Sequence, residues 1–275
     1  MRKDLFFKSC SMAVIVFLSL MAAQCKKKIE TKTETIRDTT VIVVNKDTSI
    51  NLSKGLVLYY PFDNSVGDSS GNQRNGVISG TLQYTTDKNN AANGAALFNG
   101  TNSYITVVDH GGLDLASFSV SMQFYATATS TQILFAKLNF TDATSLSSVL
   151  ALFGGFPDYP NSAAFGVRGS RIPCGFSDPI SNSDMVYSME DIQTNKWYHI
   201  ACVFDKGVEK VYLNGRLRHA ITRDFQTAKQ CTDASVILGA WNQGNPLYYS
   251  GKMDEFRMYN RALNDTEIAQ LGQGM

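Results

Sequence analysis

The chain has 275 residues, of which 44% are hydrophobic and 18% charged, and its formal net charge is +1. This composition can bury a sizeable core, which excludes a disordered chain and a membrane protein with several spans. Residues 1–54 contain 10 basic and 5 acidic side chains, a net charge of +5, and residues 55–275 contain 15 and 19, a net charge of −4. Because the larger part is acidic and has no stripe of Lys and Arg, we expect no nucleic-acid partner.

The first residues have the pattern of an export signal. Basic residues precede an apolar run at residues 12–23, which is short for a membrane-spanning helix. The run ends in LMAAQC at residues 20–25, which resembles a bacterial lipobox. The resemblance implies a lipoprotein signal peptide at residues 1–24, a lipid on Cys25 and a lipid anchor in the outer membrane of the cell envelope, facing either the periplasm or the outside. An ordinary signal peptide is the alternative.

A tether is expected between the signal and the folded part. Residues 25–54 are mostly Lys, Thr, Asp, Glu and Val without a period that would bury one face, which predicts a flexible segment. Residues 39–44 are the one stretch in it that is typical of a strand.

Three cysteines lie beyond the tether. Cys202 lies in a strand-like run and is expected to be a buried thiol. Cys174 and Cys231 lie in turn-rich stretches and are the candidates for one disulfide in an oxidising compartment. Three cysteines allow three single pairings, so the two other pairings stay open.

Short strands with turns between them fill the chain from residue 55 to residue 275. In residues 117–124 every second side chain, beginning at Phe118, is apolar, as in a half-buried strand. Asn214 and Gly215 separate two strand-like runs and supply the two positive-φ residues of a type I′ hairpin. These patterns predict many short strands in one domain, which favours a two-sheet β-sandwich.

One short helix is expected, at the C-terminus. Asn264 is placed to act as its N-cap, and Glu267 lies three residues further on, as in a capping box. Ile268 and Leu271 then provide the apolar side of the helix. No longer helical periodicity is present in the sequence.

Four sequence blocks carry a family resemblance. They are residues 56–63 with 68–76, residues 94–105, residues 197–205 with 211–215, and residues 251–263. In this order they resemble laminin-G-like (LamG-like) domains, which have the concanavalin A-like jelly-roll fold. The resemblance implies that residues 55–275 form one all-β, antiparallel two-sheet jelly-roll sandwich. Because that fold hosts lectins, glycosidases, adhesins and spacers, it says little about function.

The resemblance also implies a structural calcium ion between the opening loop and the closing strand. Strict alternation in residues 253–259 would place Asp254 on the apolar face with Phe256 and Met258, where a carboxylate is costly unless it is paired or binds a metal. The expected ligands are the carboxylates of Asp63 and Asp254 and the backbone carbonyls of Asn72 and Gly76, with Asp68 as the next candidate. In the alternative, Asp254 accepts backbone N–H groups and needs no ion.

An enzyme is not expected. The glycosidases of this fold carry Glu-x-Asp-x-x-Glu along one strand, and this spacing is missing from the sequence. Asp254 and Glu255 are adjacent and would point to opposite faces of a strand. His199 is expected to be a packed core residue, and the motifs of serine hydrolases, zinc proteases and phosphate loops are also missing.

Carbohydrate binding is the favoured activity. It requires aromatic faces for the apolar side of a sugar, with amides and carboxylates nearby. The candidate residues are Trp241, Asn242, Tyr248 and Tyr249 in one loop, and Tyr159 with Phe156 and Asp158 in a long insertion at residues 139–195. Packing within the core or the loop is the alternative for each of them.

The sequence as a whole therefore predicts a lipid-anchored binding module of the cell envelope, with a glycan as its partner. An adhesion or scaffold protein that recognises a cell-surface protein is the alternative. A divergent glycoside hydrolase is favoured least.

Overall fold

The computed structural model describes residues 33–36, 39–42, 50–109, 111–138, 149–169, 185–229, 234–241 and 246–275. The chain divides into two compact units, Met1–Ser49 and Ile50–Met275. In the first unit, β1 (Thr33–Ile36) pairs with β2 (Thr39–Ile42) as an antiparallel hairpin, so part of the expected strand at residues 39–44 is present. The expected signal peptide, Cys25 and most of the tether lie outside the described residues, and the boundaries predicted for them stay predictions.

Seventeen strands and one helix are described in the second unit. The strands are β3 (Leu56–Tyr60), β4 (Val77–Ser79), β5 (Gln83–Thr85), β6 (Ala95–Asn99), β7 (Tyr104–Val107), β8 (Phe118–Ala126), β9 (Gln132–Leu138), β10 (Val149–Phe153), β11 (Ala163–Val167), β12 (Met185–Tyr187), β13 (Tyr198–Asp205), β14 (Val208–Leu213), β15 (Arg216–Thr222), β16 (Ser235–Leu238), β17 (Ala240–Trp241), β18 (Leu247–Tyr248) and β19 (Ser250–Tyr259). The helix is α1 (Asp265–Leu271).

Two antiparallel sheets form the sandwich. The seven-stranded sheet has the order β12-β11-β10-β9-β16-β7-β4. The eight-stranded sheet has the order β15-β14-β13-β8-β19-β6-β5, and β3 pairs with the C-terminal half of β19. A separate two-stranded hairpin of β17 and β18 adjoins β9. The all-β, two-sheet sandwich with one short C-terminal helix is confirmed.

Aromatic side chains fill the space between the two sheets. Phe118 of β8 meets Phe165 of β11 edge to face, with ring centroids 6.2 Å apart, and Phe135 of β9 lies 6.1 Å from Phe256 of β19. The alternation predicted for residues 117–124 is confirmed, because its apolar members belong to this core cluster. The thiol of Cys202 is also buried here, as expected.

The Asn-Gly hairpin is confirmed at the turn between β14 and β15. Asn214 and Gly215 have φ angles of 50° and 75°, the left-handed values that a type I′ turn needs. The side chain of Asn214 also accepts a hydrogen bond from the backbone N–H of His199, at 2.9 Å. The turn is thus tied to the neighbouring strand β13.

Helix α1 covers part of the outer face of the eight-stranded sheet. The predicted capping box is present, because the Asn264 side chain accepts from the Glu267 N–H and the Glu267 carboxylate accepts from the Asn264 N–H. Arg261 holds the same carboxylate through two N–H groups, at 2.7 and 2.8 Å. Ile268 then packs against Tyr212 and Tyr259 of the sheet. Within the described residues, no helix has the length and apolar character that a membrane span requires.

Candidate functional site

Aromatic side chains gather on the outer face of the seven-stranded sheet, which is turned away from the core. Ile105 and Val107 of β7 point into the core, so Tyr104, the first residue of this strand, points outward. A second cluster of buried side chains lies on this outer side, with members from the sheet strands, from the loop after β10 and from β17: Ile133, Ala136, Leu152, Phe156, Ala164, Met185, Ile237 and Ala240. The partly buried residues that pack against this cluster are Tyr104, Tyr187, Trp241, Leu247 and Tyr248. This face therefore presents partly exposed rings over an apolar layer.

The rings form two groups. The first, called the Tyr104 group, contains Tyr104, Trp241, Leu247 and Tyr248. Tyr104 of β7 stacks on Tyr248 of β18, with ring centroids 6.5 Å apart and planes 30° apart. Trp241 lies opposite Leu247 in the β17–β18 hairpin, which fixes both residues beside this pair.

The second group, called the Tyr187 group, contains Phe156, Tyr159 and Tyr187. The Tyr187 ring of β12 lies 5.0 Å from Phe156 in an edge-to-face contact and 5.1 Å from Tyr159. Tyr159 is 37% exposed, whereas Phe156 is only 5% exposed and supports the other two rings from below. Tyr159 and Tyr187 are the members that a ligand can reach.

Two glycines determine the path of the loop that carries Phe156 and Tyr159. Gly154 and Gly155 have φ angles of 78° and 74°. A Cβ atom at Gly154 would lie 2.6 Å from the Thr129 carbonyl oxygen, and one at Gly155 would lie 2.0 Å from Oγ1 of Thr131. Only glycine fits such close approaches, so this pair lets the loop turn tightly after β10.

Polar groups accompany the rings. Burial raises the pKa of Tyr187, and the charge of Asp158 raises it further, which places a carboxylate close to this ring. The indole Nε1 of Trp241 is buried and has no acceptor among the described residues. Aromatic faces with a few polar groups are the usual composition of a small-ligand site.

The structure brings together three of the five predicted ligand-binding residues. Trp241, Tyr248 and Tyr159 lie on this one face, and Asn242 lies outside the described residues. Tyr249 is a correction, because it is fully buried and its hydroxyl donates to the Lys252 carbonyl and accepts from the Tyr125 N–H. It packs edge to face on Phe98 in the core. Adjacent residues of an extended chain point to opposite sides, so only one of the two neighbouring tyrosines can face outward.

Two residues of the site were not predicted. Tyr104 and Tyr187 each alternate with core residues along a short strand, Ile105 for the first and Val186 for the second. This alternation indicates that each tyrosine faces away from the core. That both face the same surface depends on the order of the strands, which the local sequence does not contain.

The predicted orientation of Asp254 is wrong. Residues Met253 and Phe256 both point into the core, and two residues stand between them where strict alternation needs one or three. A β-bulge at this point, with Glu255 at a φ of 54°, takes up the extra residue. Asp254 therefore lies opposite Gln123 on the outer face of the eight-stranded sheet.

Asp254 is nevertheless in an unfavourable place for a charge. Asp254 is only 5% exposed, and its Oδ1 accepts a hydrogen bond from the backbone N–H of Glu255 at 2.7 Å. Burial raises the pKa of its carboxyl to about 8, and the charges of Glu255, Asp87 and Asp63 add to the shift. The Oε1 atom of Gln123, on the facing residue, is buried and has no partner among the described residues. Asp254 and Asp63 thus lie close enough for their charges to interact.

Asp68, Asn72 and Gly76 make hydrogen bonds in and around the opening loop, but those of Asn72 and Gly76 use atoms other than the predicted carbonyl ligands, which stay predictions. Asp68 accepts backbone N–H groups from Tyr59, Ser70 and Arg74, at 2.9 to 3.1 Å. The Asn72 side chain donates to the carbonyls of Leu56 and Val57 at 3.2 Å, and the Gly76 N–H donates to the Val66 carbonyl at 2.9 Å. Within the described part of the chain, no three side chains of His, Cys, Asp or Glu are grouped to hold a metal. Any ion here would therefore depend on backbone carbonyls.

A serine–histidine pair lies on the outer face of the eight-stranded sheet. Nε2 of His199 is 2.9 Å from Oγ of Ser121, but Nδ1 has no partner among the described residues. His199 is 1% exposed, and burial, with the charges of Arg257 and Lys88, lowers its pKa to about 3. A neutral, enclosed imidazole of this kind is a packed residue, as the sequence predicts.

Cys174 and Cys231, the disulfide candidates, lie outside the described residues.

An antiparallel two-sheet sandwich with aromatic residues over one outer face is the architecture of lectin-like β-sandwich proteins. The model of one family, the concanavalin A-like lectin/glucanases superfamily, matches residues 99–269. This is more than half of the chain, which therefore belongs to that family.

Several solved structures are similar to this chain. One is domain 4 of AbnA, a GH43 extracellular arabinanase from Geobacillus stearothermophilus, in complex with arabinotriose; it is 26% identical, with 79% of this chain and 98% of that chain covered and a TM-score of 0.60. The binding domain of botulinum neurotoxin serotype D is 14% identical, with a TM-score of 0.56. The binding domain of botulinum neurotoxin DC in complex with rat synaptotagmin II is 13% identical, with a TM-score of 0.58. Each match to a neurotoxin covers 81% of this chain and 52% of the neurotoxin chain, and at this identity it shows the fold alone. No curated protein matches the sequence.

Proposed function

We propose that this protein is a carbohydrate-binding module whose ligand lies on the outer face of the seven-stranded sheet. The observation that carries the proposal is the convergence of aromatic residues from separate parts of the chain, represented by Tyr104, Tyr159, Tyr187 and Trp241, on that one face. A sugar offers apolar C–H faces that stack on such rings and hydroxyl groups that bind neighbouring polar atoms. The similarity to an arabinanase domain that holds arabinotriose supports the same function.

The place of action belongs to the same proposal. Domain 4 of AbnA comes from an extracellular enzyme, and the N-terminal residues of this chain resemble a lipoprotein signal. Both support an extracytoplasmic protein, and the resemblance to a lipoprotein signal supports a lipid on Cys25 that holds it at the outer membrane. Mass spectrometry of the membrane fraction tests this directly, because a Cys25→Ser variant should lose the lipid mass and leave the membrane.

A structural calcium ion is the second part of the proposal. Asp254 and Asp63 are the carboxylates that would hold it, because their charges already interact across a poorly solvated site. The remaining ligands would be backbone carbonyls, since calcium takes six to eight oxygen atoms. Such an ion would neutralise the carboxylates and link the opening loop to β19.

The experiment that tests the function is a glycan array probed with the full chain, in calcium and again with a chelator. We expect retention on a neutral glycan, and at least a tenfold loss of affinity for Trp241→Ala and for Tyr248→Ala. Tyr125→Ala is the matched control, because Tyr125 is a partly exposed tyrosine on the other sheet, beneath Lys252. Glycan binding that is unchanged in Trp241→Ala and Tyr248→Ala but lost in Tyr125→Ala would contradict the proposed face. Folded protein that binds no glycan would contradict the function.

A further inference from the structure

The outermost rings of the two aromatic groups, Tyr104 and Tyr187, lie far apart on the same face. Tyr104 is on β7 and Tyr187 is on β12, and the four strands β16, β9, β10 and β11 lie between them. Neighbouring strands are about 4.8 Å apart, so the two tyrosines are separated by roughly 24 Å along the sheet. A single sugar ring, or a disaccharide, cannot contact both of these tyrosines at once.

Both groups nevertheless rest on one continuous apolar layer. Phe156 and Ala164, near the Tyr187 group, belong to the same buried cluster as Ile237 and Ala240, near the Tyr104 group. Stacking contacts are therefore available at two places along a line that runs across the strands. An extended oligosaccharide has the shape that can contact two such places at once.

The face is also poor in charge. Among the described strand residues that point outward from the seven-stranded sheet, none is Asp, Glu, Lys or Arg. Lys137 of β9 points to the other side, where it binds Asp109 and Asp114 at 3.1 and 2.6 Å. Among the described residues, the carboxylate of Asp158 lies close enough to the rings for its charge to act on Tyr187. An acidic polymer would be repelled at that end of the face.

From this spacing and this charge pattern we infer that the face binds an internal segment of a neutral, linear polysaccharide, about five sugar units long, that spans the Tyr104 and Tyr187 groups. The inference rests on the proposed function and adds the length and the charge of the ligand. A sugar unit of an extended chain advances by about one strand spacing, which gives the number of units. The end of the polysaccharide need not be recognised, because the stacking contacts lie along its length.

The test is a length series measured by titration calorimetry on the full chain. The probes are linear arabino-oligosaccharides and cello-oligosaccharides of two to eight units, with oligogalacturonates of the same lengths as acidic counterparts. For one neutral series we expect the affinity to rise at least tenfold between three and six units and then to level off. The oligogalacturonates should bind at least tenfold more weakly than the neutral chains.

Variants separate the two ends of the proposed site. Tyr159→Ala removes an exposed ring of the Tyr187 group and should weaken the six-unit chain at least fivefold, to near the affinity of three units. The affinity for three units should change by less than about twofold, because such a chain can still use the Tyr104 group. Tyr159→Phe keeps the ring and should bind like the wild type, and Tyr125→Ala controls for an unrelated surface tyrosine.

The outcomes distinguish this inference from the proposed function. An affinity that levels off at three units, with no effect of Tyr159→Ala on the longer chains, would overturn the extended site and leave the carbohydrate-binding function intact. Oligogalacturonates that bind as tightly as the neutral chains would overturn the neutral ligand. If folded protein binds neither the neutral series nor the oligogalacturonates, and no glycan on the array, both proposals fail.

Discussion

At the scale of single residues, the two predictions that failed had the same cause. A period of two assigns the faces of a strand only where the strand is regular and its core side is known. The bulge at Glu255 moved Asp254 to the other face, and Tyr249 rather than Tyr248 proved to be the core member of its pair. Neither fact is contained in the neighbouring residues, because the partner strands decide both.

The pKa of Asp254 gives a prediction at this scale. Its folded value of about 8 exceeds the ordinary value of 3.8, so the metal-free folded protein binds this proton more tightly than the unfolded chain does. The contribution of this group to the free energy of unfolding should therefore fall as the pH rises from about 4 to about 8. The side chain of Asp254→Asn stays neutral at every pH and does not bury a charge. Without calcium, the free energy of unfolding of the variant should therefore exceed that of the wild type at pH 8 by roughly 1–3 kcal/mol.

Urea denaturation at pH 4 and pH 8 in chelator measures this difference. At pH 4 both proteins carry a neutral group at this position and should differ little, which controls for packing. A wild-type–variant difference that does not change between the two pH values would contradict the raised pKa. Added calcium should stabilise the wild type more than Asp254→Asn at pH 8, and an equal effect on both would contradict the calcium site.

At the scale of elements, turns and caps were the most predictable features. The Asn214-Gly215 hairpin and the Asn264–Glu267 capping box follow from local rules, in which a few adjacent residues satisfy each other's conformational and hydrogen-bonding needs. The arrangement of these elements is not local. Gly215 closely approaches Ala269 of α1, and this contact joins a predicted turn to a predicted helix that are distant in the sequence.

Substitution of Gly215 tests that contact. A Cβ atom there would lie 3.0 Å from Cα of Ala269 and would also have to accept a φ of 75°. We expect Gly215→Ala to lower the free energy of unfolding by about 2–3 kcal/mol, of which about 1 kcal/mol comes from the backbone conformation. Urea denaturation followed by far-ultraviolet circular dichroism gives the value.

Gly71 offers a matched control for the backbone cost. It also has a positive φ, 89°, but a Cβ atom there would meet nothing within 4 Å. Gly71→Ala should therefore cost only about 1 kcal/mol. If Gly215→Ala and Gly71→Ala lower the free energy of unfolding by the same amount, the turn does not support the helix.

At the scale of the whole molecule, the fold class was predictable and the site only in part. The alternation in β8 indicates a sandwich because its two faces differ in chemistry, apolar toward the core and serine-rich outward. Trp241, Tyr248 and Tyr159 were predicted as aromatic residues in loops, and the structure places them on one sheet. Tyr104 and Tyr187 complete that surface only through the strand order from β7 to β12, a long-range property that a local pattern does not contain.

The two outer faces of the sandwich are built differently. The outer face of the eight-stranded sheet is partly covered by α1 and contains buried polar residues such as His199 and Gln123. The outer face of the seven-stranded sheet has partly exposed rings over an apolar layer. If the protein binds carbohydrate, this difference assigns the ligand to the second face.

The most direct test of the account is a crystal structure of the chain with a bound neutral oligosaccharide. The account predicts sugar rings stacked on Tyr248 and Trp241 beside Tyr104, with a six-unit oligosaccharide reaching Tyr159 and Tyr187 at the β12 edge of the seven-stranded sheet. Sugar bound instead on the outer face of the eight-stranded sheet, with the aromatic face free of ligand, would contradict it.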